Sequence, residues 1–222
     1  MFFEPCSNEE VTSIINDLDS GKSSDISIRV LKNCAFILTP HLTRFYNSFI
    51  NLGIFPDLLK IGQITPIFKK GNTQLLQNYR PISTLPCFGK IFEKVIYSRL
   101  YNFCISKNLL YENQYGFRSH HSTSHAVNYS IDKIICNIEN KNHVLGIFID
   151  LSKAFDTISH EKLLYKLENY GIRGMPLALL QSYLTNRKQF TNFNGSKSNL
   201  QAVLFGVPQG SVLGPLLFIL YI

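Results

Sequence analysis

Residues 144–156 read V-L-G-I-F-I-D-L-S-K-A-F-D, an apolar run that ends on Asp150 and meets a second acid, Asp156, six residues later. Positions 144–149 carry no charge and are rich in β-branched and aromatic side chains, a composition that predicts a strand buried on both faces. An ionised carboxylate beside such a strand is costly to bury unless something compensates it. A metal ion is one answer, since Mg²⁺ takes hard oxygen ligands from one or two carboxylates and from substrate phosphates. The other answer is structural: Asp150 ends the strand and bonds nearby backbone amides. The thirteen residues alone leave both open.

The remaining chain is long and apolar enough to bury a core. Its 222 residues are 45% hydrophobic, which fits one large domain or two small ones. The five cysteines are widely spaced and form no C-x-x-C pair, so neither a disulfide framework nor a zinc knuckle is indicated. A reducing intracellular compartment, cytoplasm or nucleus, is the expectation. The opening M-F-F-E-P-C-S-N-E-E lacks the pattern of a signal peptide. The late apolar stretch Val212 to Ile222 is too short to span a bilayer, so no membrane partner is expected.

The net charge of +7 is unevenly placed. Residues 1–57 carry four basic and seven acidic side chains, whereas 58–118 carry nine basic against Glu93 and Glu112. Basic stretches interleaved with Tyr and Phe suit a polyanion, because Lys and Arg release counterions and aromatic rings stack on bases. An ordinary solvated surface would read the same way. After Glu168 the remaining 54 residues contain no Asp or Glu, so no acidic pair can be completed there.

Local signals predict an α+β chain. Ser7 and Glu10 form a capping box for a helix reaching about Asp19. Thr39-Pro40 reads as a cap and first-turn proline for a helix ending near Gly53. Residues 61–69 read as a strand, with Pro66 arguing for an edge. Helices are predicted over 87–105, from Ser122 to about Asn140, and over H-E-K-L-L-Y-K-L-E-N-Y, capped by Ser159 or Asp156 and closed by Gly171. Asn194-Gly195 signals a hairpin. The sheet is expected around 144–150 and 188–206.

Three further stretches call for one explanation together with F-I-D-L-S-K-A-F-D. They are I-T-P-I-F-K-K-G-N-T-Q-L-L-Q-N-Y-R-P-I-S (64–83), L-L-Y-E-N-Q-Y-G-F-R-S-H-H-S-T-S-H-A (109–126) and F-G-V-P-Q-G-S-V-L-G-P-L-L-F-I-L-Y-I (205–222). In this order and spacing they resemble the blocks of a reverse transcriptase of the non-LTR (LINE-type) retrotransposon group, over nearly the whole chain. The resemblance implies a right-hand polymerase fold, fingers and partial palm, with a small mostly antiparallel sheet flanked by helices. It divides the chain into an N-terminal helical extension (1–57), fingers (58–143) and partial palm (144–222), all in one reverse transcriptase domain. The implied activity is RNA-directed DNA polymerisation, with an RNA template, a DNA primer and deoxynucleoside triphosphates as partners and Mg²⁺, or Mn²⁺ in its place, as cofactor.

The resemblance also assigns roles. Asp150 becomes the catalytic metal ligand, with the Leu151 carbonyl as a further oxygen, in a two-cation mechanism whose ions sit about 3.5–4 Å apart. Phe155 becomes the ring beneath the incoming sugar, where it would collide with a 2′-hydroxyl; read without the resemblance, it is core packing. Arg80 becomes the triphosphate clamp, a job for a permanently charged fork of donors. Lys69 and Lys70 lie in the neighbouring basic turn, and either could reach phosphate. Gln209-Gly210 lies beside the nascent base pair, the amide bonding sugar or base edge and the glycine letting backbone approach the template. Asp156 suits a helix cap or structural hydrogen bond better than metal ligation. His120, His121 and His125 have no acid or cysteine in support and fit nucleic-acid or packing contacts better than zinc.

The group's palm continues into a hairpin with two adjacent aspartates, and this chain ends at Leu220-Tyr-Ile222 upstream of it. A fragment inactive in isolation is therefore expected, its apolar end short of the strands it would pack on. The alternative is a non-catalytic nucleic-acid-binding remnant. A generic Mg²⁺ phosphotransferase has no support, since no G-x-x-x-x-G-K-[ST] loop is present. In either retrotransposon reading, Asp150 should end a central strand with Gln209 facing the same cavity.

Overall fold

The computed structural model describes residues 1–21 and 24–222. Helix α1 (Asn8–Asn16) starts where the capping box predicts: the Ser7 hydroxyl accepts from the Glu10 amide at 3.2 Å. Glu10 then docks the helix onto α4 (Cys87–Ser106) through a two-pronged pairing with Arg99, at 2.7 and 2.9 Å. After the short α2 (Ile28–Asn33), α3 (Ala35–Leu52) begins before Thr39 and carries Pro40 inside it, correcting the cap assigned to Thr39-Pro40. Thr39 is buried and accepts from the Thr12 hydroxyl at 3.1 Å, while Pro40 faces solvent, where the carbonyl it leaves unbonded can be hydrated. Gly53, at φ 65°, closes α3 in the left-handed conformation.

The sheet has five strands, β1 (Ile61–Phe68), β2 (Tyr79–Thr84), β3 (Lys188–Phe193), β4 (Ser196–Lys197) and β5 (Gln201–Ala202). Their order is β2-β1-β3-β4, with β5 also on β3, and every pairing is antiparallel except β1 with β3. Pairing with β3 covers only Ile61 to Ile64, so Pro66 has a free flank on that side and faces Pro81 on the other. Asn194 (φ 49°) and Gly195 (φ 82°) make the tight turn between β3 and β4 that the dipeptide predicts.

The remaining helices are α5 (Thr123–Glu139), α6 (His160–Asn169), α7 (Met175–Leu184) and α8 (Leu213–Tyr221). Ser159, not Asp156, caps α6 by accepting from Lys162 N. One continuous core runs from Phe3 to Leu220. At its centre Tyr46 stacks on Phe92 (4.8 Å), and Phe55 joins Phe92 to Tyr183 (5.1 Å to each).

Two further expectations are corrected. Residues 143–151 form no strand and pair with nothing in the sheet, which is built from 61–84 and 188–202 instead. Phe148 is 98% exposed and Ile149 85%. An apolar, β-branched run has a propensity for extended backbone, but a strand needs hydrogen-bonding neighbours, and none of the five strands pairs with it. Conversely, Val212 to Ile222 is not a stranded end. It forms α8, whose Leu213, Leu216, Leu217 and Leu220 are buried. Pro215 falls in the first turn, where its missing N–H costs nothing.

Candidate nucleotide and template site

The turn Val207–Ser211 is where distant parts of the chain meet. On one side it is zipped to residues 155–160: Gly206 N donates to Ile158 O at 2.8 Å and Val207 N to Phe155 O at 2.9 Å. The His160 ring Nε2 lies 2.7 Å from Gly206 O. Gly206 has φ 81°, and a Cβ there would stand 2.7 Å from Phe155 O, so close approach and conformation both require glycine. On the other side the turn is joined to β2, with Ser83 N donating to Gln209 O at 2.8 Å. Gly210, at φ 111°, packs so tightly on that strand that a Cβ would lie 2.8 Å from Ser83 O.

Gln209 and Asp156 face each other, the Gln209 amide donating to Asp156 Oδ1 at a long 3.4 Å. Asp156 is therefore a structural hydrogen-bond partner and not a cap. Both residues line a cavity of about 330 Å³, with Lys60, Ser83, Arg187 and Lys188 among the other walls. Asp150 is not in that wall; it stands exposed on 143–151, as does Leu151. The expected sharing of one cavity by Asp150 and Gln209 is corrected accordingly, because the strand that would have carried Asp150 inward is not formed.

Phe155 is half-buried, stacked on Phe218 (5.1 Å, 26°) and met edge-on by Phe117 (5.7 Å, 89°). Arg80 lies exposed on β2, opposite Ile67 and three residues from Ser83. Lys69 and Lys70 are exposed at the hairpin tip, where Lys69 N donates to Asn78 O at 2.8 Å. Among the described residues the ion pairs are Lys60–Asp57 and Arg99–Glu10, which leaves these three cations open to an anion. The hairpin thus presents exposed positive charge on the strand that is bonded to the Gln209 turn, while the cavity itself takes Pro81 and Ser83, not Arg80, from that strand.

Asp150 and the Leu151 carbonyl are hard oxygen donors of the type Mg²⁺ takes. Among the described residues, however, no group of three or more His, Cys, Asp or Glu side chains is placed to hold a metal, so donor chemistry fits while donor number does not. His121 Nδ1 lies 3.0 Å from Ser119 O, a local contact for that ring, and the backbone amide of His125 donates to the Ser122 hydroxyl that caps α5.

Sequence reasoning passed over Glu93. It is 1% exposed, and its Oε2 accepts from Val212 N at 2.6 Å and Leu213 N at 3.2 Å. Burial pushes its carboxyl up from the ordinary range, with Arg187 and the two amides pulling the other way. The signal was present: Glu93, Ile96, Leu100 and Cys104 share the buried stripe of α4, so an acid stood on an apolar face.

A basic hairpin, the Gln209-Gly210 turn bonded to it and the end of the F-I-D-L-S-K-A-F-D segment bonded to that turn thus meet in one place. Residues 67–222 match the family described as reverse transcriptase (RNA-dependent DNA polymerase), and the chain belongs to that family, as a domain of the non-LTR (LINE-type) group. It is similar to the probable RNA-directed DNA polymerase from transposon X-element of Drosophila melanogaster, 32% identical over 226 residues, covering 99% of this chain and 24% of that protein. The RNA-directed DNA polymerase from mobile element jockey of the same species is 34% identical over 217 residues (95% and 23%), and that from transposon BS is 32% identical over 225 (97% and 24%). The chain spans about a quarter of the length of these relatives. Among the described residues no helix is long and apolar enough to cross a membrane.

Proposed function

We propose that these residues supply the fingers (58–143, preceded by the helical extension 1–57) and part of the palm (144–222) of an RNA-directed DNA polymerase that adds deoxynucleotides to a DNA primer along an RNA template. The observation that carries this reading is the 2.8 Å bond from Ser83 to Gln209, which ties the strand bearing Arg80 to the Gln209-Gly210 turn. Arg80, with Lys69 or Lys70, binds the triphosphate; Gln209 and Gly210 face the nascent base pair; Phe155 lies beneath the sugar and excludes a 2′-hydroxyl.

Asp150 and the Leu151 carbonyl are the donors these residues would offer to Mg²⁺ or Mn²⁺, which would supply charge neutralisation at the triphosphate and activation of the primer 3′-hydroxyl. Among the described residues, no group of three or more His, Cys, Asp or Glu stands ready to hold a metal, fewer donors than the two-cation arrangement needs. The 222 residues alone therefore hold nucleotide and template without joining them.

The test is Arg80→Ala in a polypeptide of the relatives' full length that carries these residues. Deoxynucleotide affinity should fall about tenfold or more, as for loss of a charge-assisted hydrogen bond, with template affinity nearly unchanged. Template binding by the wild type should weaken steeply with added salt. Equal loss of nucleotide and template binding in Arg80→Ala would contradict the clamp and favour a non-catalytic nucleic-acid-binding patch.

A further inference from the structure

Helix α4 carries one acid inside the core, and its partners are far away in sequence. Val212 and Leu213 lie 119 and 120 residues downstream, and their amides converge on one oxygen of Glu93. The other oxygen accepts from the Tyr183 hydroxyl at 3.3 Å. Arg187, itself 2% exposed, lies over the Tyr183 ring at 4.8 Å and donates to Tyr183 O at 3.0 Å. Tyr183 thus links a buried carboxylate to a buried guanidinium.

A helix that needs only a cap usually finds one in its own preceding residue, from a short polar side chain at the surface. Here the preceding residue is Val212, which has none to offer. A carboxylate brought from another helix into the core is a costly way to satisfy two amides, because its desolvation must be compensated in full. What those amides follow is informative. They come directly after Gly210-Ser211, so Glu93 holds the downstream end of the turn whose upstream end is held by Phe155 and Ile158, and whose middle is held by Ser83. Ser211 reinforces the same end, its hydroxyl donating to Pro208 O at 2.9 Å and accepting from Gly214 N at 3.0 Å.

We propose that Glu93 is a positioning residue for nucleotide addition: by holding the Val212 and Leu213 amides, its carboxylate fixes the Gln209-Gly210 turn against β2 and so sets where the nascent base pair is met. The assignment rests on the polymerase reading above. Glu93 touches neither nucleotide nor template, and acts through the turn. Tyr183 and Arg187 orient it.

Glu93→Gln keeps the shape but removes the charge, so the two amides lose their charge-assisted acceptor and the Tyr183 hydroxyl must turn from donor to acceptor. In the 222-residue chain, amide hydrogen exchange should speed up over 207–213 and stay unchanged over 216–221. In a full-length polypeptide, the KM for deoxynucleotide should rise about tenfold, the loss of one charge-assisted hydrogen bond, with primer–template affinity kept. Tyr183→Phe, a milder change, should move both readouts the same way by less, and it serves if Glu93→Gln fails to fold. Exchange that rises evenly along α8, or a fall in kcat at constant KM, would assign Glu93 to structure alone and overturn the proposal. If the wild type incorporates no deoxynucleotide, the polymerase reading fails, and the exchange measurement still decides whether Glu93 fixes the turn.

Discussion

Glu93 shows how one buried side chain shapes the pH response of the whole chain. Burial raises its carboxyl above the ordinary value, so the folded state holds that proton more tightly than the unfolded state does. The stabilising contribution is complete below the unfolded carboxylate value and is lost as pH rises through the higher folded one. Urea unfolding of wild type and Glu93→Gln, from about pH 4 to about pH 8, should show the wild type losing stability relative to the variant as pH rises. Parallel curves would contradict the burial of an ionisable group at 93. At this scale the sequence is readable wherever partners are close. Of the two candidate caps for α6, it is Ser159 that bonds the nearby Lys162 amide. The Ser7 cap on the Glu10 amide and the Asn194-Gly195 turn each settle within a few residues and stand as read. The contacts of Glu93 and Gln209 do not, because Val212 and Ser83 reach them only once the chain has folded.

Elements depend on their neighbours in a way that composition does not reveal. Val212 to Ile222 has the apolar content of a buried piece, yet only the packing surface of α4 and α6 decides that it is a helix and that its leucines are covered. Residues 144–149 have the opposite history, reading as a strand from their β-branched content and lacking a neighbour to pair with. The turn between the two is set by backbone proximity. Gly210→Ala must place a Cβ within 2.8 Å of Ser83 O at φ 111°, both of which the native chain avoids. Its expected cost is about 1–3 kcal/mol by urea unfolding, with faster exchange of the Ser83 amide. A neutral substitution there would mean that the turn is not seated on β2.

For the molecule as a whole, the apolar surface is unevenly covered. One core joins the N-terminal helices, α4, α6, α7 and α8, while α5 has no buried residue and 144–151 stands in solvent. Phe148→Ser should therefore leave the unfolding midpoint of the 222-residue chain nearly unchanged, where a buried Phe would cost about 3–5 kcal/mol. It should also reduce self-association, since contiguous exposed apolar residues favour it. A large loss of stability would restore the buried strand that the sequence suggested. The α+β class was legible from local helix and strand signals and the family from four blocks in order along the chain; the placement of Asp150 was not, since it depends on strands with which 144–149 does not pair here.

RNA-templated primer extension bears most directly on the polymerase reading. It compares a full-length polypeptide carrying these residues, its Asp150→Asn variant, and the 222 residues alone. Deoxynucleotide incorporation is predicted for the first, a loss of about a hundredfold or more for the second, and none for the third. Extension undiminished in Asp150→Asn would contradict the role given to Asp150, and incorporation by the 222 residues alone would contradict the reading that they hold nucleotide and template without joining them.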